Sequence, residues 1–217
     1  MKRSMFIAAC AALAVFAGAR TLRAQLPGIP VYNTVVPAGF GIAADVGFPS
    51  SSTGLGTSYA IMGAFGTGVF GFTGSIGGTK VEVTDKTQVT VGGTASWKVF
   101  GGPLIPLAVN LQAGVAYWEG AVDSKNLRVP VGVSAILTIP TPGMAIKPWI
   151  APRVDFLQTK LGGLTSDRTE FAFSIGLDLA FLNGLGARAA YDWMKSEGST
   201  LSTIGVGLNY SFKTLSY

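Results

Sequence analysis

With 217 residues, 16 Lys and Arg, 11 Asp and Glu and no His, the chain is sized for one domain and offers no basic patch of the kind a nucleic-acid partner requires. Only 12% of residues are charged, yet after the first two dozen residues no apolar run reaches the ~20 residues that a membrane helix needs. Without histidine, and with Cys10 as the single thiol, the commonest general base and the thiolate nucleophile are missing, so neither an enzyme nor a His or Cys metal site is expected.

In chain order, Lys2 and Arg3 precede an uncharged apolar stretch from about Met5 to Ala19, then small residues, the layout of a secretory signal peptide. Cleavage is expected after Ala24, with Ala19 as the alternative. Loss of residues 1–24 removes Lys2, Arg3, Arg20 and Arg23 and no acid, leaving 12 basic residues against 11 acidic ones. The basic balance is therefore a targeting feature. Cys10 leaves with the same segment, so no disulfide or thiolate ligand remains. The Ile7-Ala8-Ala9-Cys10 string looks like a lipobox, but it lies too close to the N-terminus. Residues 25–37, with Pro27, Pro30 and Pro37, form a lead expected on the periplasmic side. Whether this lead plugs the following domain or hangs from it is left open by the sequence.

From residue 38 onward, ten strand-like segments are predicted: 38–48, 57–66, 68–77, 87–99, 106–118, 127–139, 145–158, 169–181, 185–194 and 201–212. Most have the ~9 to 11 residues of a tilted membrane-crossing strand. Short Gly, Pro or Asn turns at 66–68, 100–103, 140–143 and 182–184 alternate with longer polar links at 49–56, 78–86, 119–126, 159–168 and 195–200. That alternation describes an antiparallel meander with both chain ends at the short-turn rim. Along 168–181, Phe171, Phe173, Ile175, Leu177, Leu179 and Phe181 oppose Glu170, Ala172, Ser174, Gly176, Asp178 and Ala180. A large apolar face against a small polar one is the pattern of a strand with lipid outside and a lumen inside. Aromatics near strand ends, such as Phe40, Phe48, Tyr59, Trp97, Tyr117, Phe171, Phe181, Trp193 and Phe212, suit interfacial girdles. The fold class is therefore all-β, an antiparallel up-and-down transmembrane β-barrel of ten strands, with eight as the alternative, spanning 38–217. Pro130, Pro148 and Pro152 fall inside two of these strands, so bulges or an open seam are expected there. The second strand is apolar on both parities and its facing is not set by the pattern.

The last segment, Val206-Gly207-Leu208-Asn209-Tyr210-Ser211-Phe212, completes a resemblance to the small outer-membrane β-barrel proteins of bacteria, OmpA-like transmembrane domains and porin-like proteins among them. The resemblance covers everything after the signal segment. It implies an outer-membrane location, a lipid-bilayer environment and recognition by the barrel-assembly machinery through Val206, Leu208, Tyr210 and Phe212. The tail after Phe212 departs from the usual pattern and leaves Tyr217 as a rival terminal aromatic. Barrel enzymes of this class lean on His with Ser or Asp, so the resemblance to them fails at catalysis.

With the polar parity inward, the lumen collects Lys98, Arg128, Lys147, Arg153 and Arg188 with Asp45, Asp155, Glu170, Asp178 and Asp192. Two readings follow for the lumen. These charges pair in a nearly filled interior of a structural or surface-interacting barrel, or they line a narrow porin-like passage for small polar solutes. A secreted lipocalin-like barrel would need the opposite parity. No cofactor and no metal are expected, because no Asp/Asn/Gly calcium loop occurs.

Overall fold

The structure is a computed structural model that describes residues 26–30, 39–82, 85–102, 105–120, 124–196 and 199–213. The expected signal segment lies outside the described residues. Ten antiparallel strands close into an up-and-down barrel, which settles the count against eight. In chain order they are β1 (Gly39–Pro49), β2 (Leu55–Gly66), β3 (Phe70–Val81), β4 (Lys86–Phe100), β5 (Leu107–Glu119), β6 (Lys125–Leu137), the three-residue β7 (Ile139–Thr141), β8 (Met144–Leu161), β9 (Leu164–Phe181), β10 (Leu185–Ser196) and β11 (Ser199–Lys213). β7 continues β6 past Thr138 and keeps the same register against β8, so the two form one wall strand. β1 closes the barrel on β11, from Gly39 opposite Lys213 to Pro49 opposite Thr203. Closure leaves no free edge, which is the condition for a sheet in a hydrocarbon medium.

Side-chain parity separates two surfaces. Outward stand Phe40, Ile42 and Phe48 of β1, Ile175 and Leu177 of β9, and Ile204, Val206 and Leu208 of β11, all exposed. Inward stand Asp45, Ser58, Thr79, Thr90, Asn110, Arg153, Asp155 and Ser174, all buried. On β2, Tyr59, Ile61 and Phe65 face out while Ala60 and Met62 face in. Volume resolved what hydropathy left ambiguous: the large groups went outside and the small ones to the crowded interior. Aromatic pairs mark the two ends of the apolar belt, with Phe40 on Phe65 at 4.9 Å and Phe70 on Trp97 at 6.2 Å near the short turns, and Phe171 on Trp193 at 6.2 Å toward the opposite rim. Phe40 and Phe48 are eight residues apart on β1, about 26 Å of strand, comparable with the ~25 Å apolar band of outer-membrane barrels.

The three prolines each meet a break in pairing. The β5–β6 ladder omits Gly114 and Val115 opposite Pro130 and Val129. The β6–β8 ladder omits Val133 and Ser134 opposite Pro152 and Ala151, and Pro148 comes opposite the gap between β6 and β7. Proline has no N–H to give, so the ladder opens where it would have donated. Both flanks of β6 are thus locally loosened.

Two expectations about the long-link rim are corrected. Residues 159–168, read as a loop, are strand: β8 and β9 pair without interruption from Met144–Phe181 out to Leu161–Leu164. Only Gly162 and Gly163 turn, with φ of 55° and 88°, the left-handed pair that a tight hairpin requires. Likewise β3 and β4 pair out to Val81 and Lys86, and β10 with β11 to Ser196 and Ser199, so these three polar links are mainly hairpin stems. Polar composition marks exposure to water, and a paired hairpin in water keeps its ladder.

Candidate functional site: the charged lumen

The ten titratable residues expected inside all lie on inward-facing positions, and most gather in two groups. In the first, Arg153 of β8 is the hub. Its Nε donates to Asp155 Oδ1 at 3.1 Å, its Nη1 to Ser174 Oγ at 2.5 Å and its Nη2 to Asp192 Oδ2 at 2.9 Å. Arg128 of β6 donates Nε to Asp155 Oδ2 at 3.1 Å and pairs with the same oxygen through Nη2. Ser174 donates to Asp192. The charges therefore alternate as Arg128, Asp155, Arg153, Asp192 across β6, β8 and β10, with Ser174 of β9 in between. Asp155 is fully buried and Arg153 is 2% exposed. Two arginines and two aspartates in contact neutralise one another, the condition under which buried ions are tolerated.

Small residues make room for this hub. Gly132 is opposite Arg153, and a Cβ there would come within 2.5 Å of the Arg153 Cβ. On the other side Arg153 registers with Ala172.

The second group runs around the wall. Arg188 of β10 donates Nε to Asp45 Oδ1 of β1 at 2.7 Å and pairs through Nη2 with Oδ2, a two-pronged contact. These strands are not adjacent, because β11 lies between them and presents Gly207 to both. A Cβ at 207 would be 1.9 Å from Asp45 Oδ1. Glycine is what allows the pair to close across a strand. Asp178 of β9 is level with Arg188 and with Lys147 of β8, and it accepts from Trp149 Nε1 at 3.2 Å. The indole lies over Gly176, where a Cβ would meet the ring at 2.3 Å. Met62 turns its sulfur toward Arg188 Nη2 at 3.3 Å.

The remaining predicted positions are looser. Glu170 accepts from Ser196 Oγ at 2.6 Å, while its Oε2 has no hydrogen-bond partner among the described residues. Lys98 on β4 faces Asn110 rather than an acid, and among the described residues neither Lys98 nor Lys147 is within 4.0 Å of a carboxylate. No group of three metal-ligating side chains occurs among the described residues. Opposite the charged wall, β4 and β5 present uncharged polar groups: Thr90 Oγ1, Asn110 Oδ1 and both amide atoms of Gln112 are buried without a partner among the described residues.

Sequence reasoning missed Ser174, Trp149 and Met62 as partners of the ions, although the inward parity of Ser174 and Trp149 was legible. It also set residues 26–30 in a lead expected on the periplasmic side, leaving open whether they plug the barrel. These lie inside the barrel: Leu26, Ile29 and Pro30 are buried, and Thr79 Oγ1 donates to Pro27 O at 2.7 Å. The C-terminal residues Val206, Leu208, Tyr210 and Phe212 face outward on β11, with Tyr210 edge-on to Phe212 at 4.9 Å. Tyr217 lies outside the described residues.

No protein-family model and no curated protein matches the sequence. Solved structures do match in shape. The β domain of the Bordetella autotransporter BrkA gives a TM-score of 0.50 at 11% identity over 80% of this chain and 99% of that one. A bacterial polysaccharide outer membrane secretin gives 0.48 at 10% identity over 81% of this chain and 66% of that one, so the chain spans about two thirds of its length. The outer membrane enzyme PagL gives 0.42 at 14% identity, covering 79% and 99%. Closed wall, inward charge and outward apolar belt together give this chain the fold of the bacterial outer-membrane β-barrel proteins.

Proposed function

We propose that the chain is exported by a signal peptide cleaved after Ala24, is inserted by the barrel-assembly machinery through its last strand, and resides in the outer membrane as a sealed barrel. Its role on this reading is structural and surface-interacting, presented to the exterior by the β8–β9 hairpin. The observation that carries the sealed lumen is Arg153, which holds Asp155 and Asp192 together inside the barrel. A ten-stranded wall stands close to the ~8 strands whose interior side chains fill. The exposed apolar belt and the charged interior speak against a soluble lipocalin-like binder. PagL is described as an enzyme, but this chain has no histidine to serve as a general base, and Asp45, Asp155 and Asp192 are engaged with arginines.

The partnerless polar atoms of Thr90, Asn110 and Gln112 favour a second reading, a narrow passage along the β4–β5 wall for small polar solutes. Planar-bilayer recording separates the two. The sealed barrel inserts and carries no current, whereas steady openings of the unaltered protein establish the passage. Heat-modifiable migration in detergent verifies insertion-competent folding in both cases.

A further inference from the structure

The barrel interior contains one feature that the ion pairs do not explain. Leu26–Pro30 is seated against a notch formed by Gly47 of β1, Ser58 and Ala60 of β2, and Gly77 and Thr79 of β3. Gly47 is near the long-link end of β1, whereas the strand begins at Gly39 on the opposite rim. The segment is therefore at the far end of the lumen from the point where the wall begins. From Pro30 to Gly39 the chain has nine residue steps, with a reach of ~30 Å, enough to cover the ~26 Å of strand between Gly39 and Gly47.

The fit is specific on both sides. A Cβ at Gly47 would come 1.8 Å from Gly28 O and 3.1 Å from Ile29 Cδ1, and the three nearest atoms it would meet all belong to the segment. A Cβ at Gly77 would come 2.5 Å from Leu26 Cδ1. Gly28 has φ of 74° and a Cβ there would lie 2.1 Å from Ser58 Oγ. Backbone thus approaches backbone at positions where only glycine permits it. Leu26 and Ile29 join the small apolar cluster of Ala60, Trp149, Ala151 and Ala190, with Met62 alongside. A buried backbone needs partners for its N–H groups, and Pro27 and Pro30 have none to satisfy. Thr79 supplies a donor to Pro27 O, and Ile29 N closes a turn on Leu26 O at 3.2 Å.

We propose that this notch is a peptide-binding site whose occupant is the chain's own Leu26–Pro30, and that the seated segment closes the long-link end of the lumen as a second seal beyond the arginine–aspartate network. The inference rests on the sealed-barrel reading but is testable apart from it. Ile29→Cys in a Cys10→Ser background, purified from membranes after expression of the full-length chain, gives a single reporter thiol. Its maleimide labelling is compared with Leu164→Cys at the exposed hairpin tip. Seating predicts strong protection of position 29, lost by about tenfold or more when Gly47→Ala pushes the segment out, because labelling follows the open population. Gly63→Ala, on the outer face with nothing within 4 Å, leaves the protection unchanged, and gel mobility confirms that each barrel is folded. Labelling at position 29 as fast as at position 164 overturns the seating. For the seal, Gly47→Ala is expected to admit current when combined with Arg153→Met beyond that of Arg153→Met alone. Equal currents overturn the second seal and leave the ion-pair reading standing, whereas current through the unaltered barrel overturns the ion-pair reading itself.

Discussion

The lumen of this barrel depends on glycines as much as on ions. Gly207 separates Asp45 from Arg188, Gly132 admits Arg153, and Gly176 carries the Trp149 ring. In each case a strand gives up its inward side chain so that a neighbour's can occupy the space. Gly207→Ala is accordingly expected to break the two-pronged Asp45–Arg188 contact without touching either partner, lowering the unfolding temperature in detergent and leaving the far-ultraviolet strand signal intact. Removing the hub is costlier. Arg153→Met leaves two buried carboxylates short of a partner, Asp192 with only the Ser174 hydroxyl and Asp155 with only Arg128, and truncating one partner of a buried pair costs about 3 to 5 kcal/mol. Arg153→Met with Asp192→Asn should recover part of that loss in urea titration, because one of the stranded charges is gone. Strict additivity of the two substitutions would show that the contact is not energetically shared.

Among the elements, β8 and β9 stand apart at 18 residues each. Such a strand extends ~60 Å, well over twice the apolar band, so the hairpin's outer part stands clear of the belt. Residues 160–169 are exposed throughout, and the tip carries Leu161 and Leu164, the latter 79% exposed. Shortening the hairpin by deletion of 159–161 and 164–166, which keeps the Gly162–Gly163 turn between the paired Gln158 and Asp167, should leave barrel stability nearly unchanged, since exposed surface positions contribute little. Failure of the shortened protein to show heat-modifiable migration would mean that the hairpin assists closure. The proline-bearing strands follow a different logic. Pro130, Pro148 and Pro152 were legible as misfits in the sequence, but where each gap falls depended on which neighbour the missing N–H faced, and that is set by the register of each strand against the next.

At the level of the whole molecule, polarity is inverted relative to a soluble domain: exposed Ile61, Ile175 and Leu208 outside, buried Asp45, Arg153 and Asp155 inside. Such a shape is stable only where the outside is not water. Ile61→Arg, outward and central on β2, is expected to destabilise the barrel in lipid by about 2 to 4 kcal/mol, as arginine does on the lipid face near the midplane. The same substitution should be far milder in a charged detergent that hydrates the side chain. An equal effect in both media would argue against lipid contact at that position.

The sequence by itself determined a membrane barrel of antiparallel strands in up-and-down order, ten with eight as the alternative, and the inward parity of the ten charges assigned to its lumen. All of that follows from a period of two and from local turn residues, which a single pass along the chain can read. Tertiary structure alone decided which charge meets which. Asp45 reaches Arg188 across 143 positions, through a gap left by a glycine on a third strand, and the parity pattern contains no information about that registration. The same holds for Leu26–Pro30: five small and apolar residues in a proline-rich lead are featureless in sequence, and acquire a place only when closure of the barrel brings Gly47, Ser58, Gly77 and Thr79 together around them.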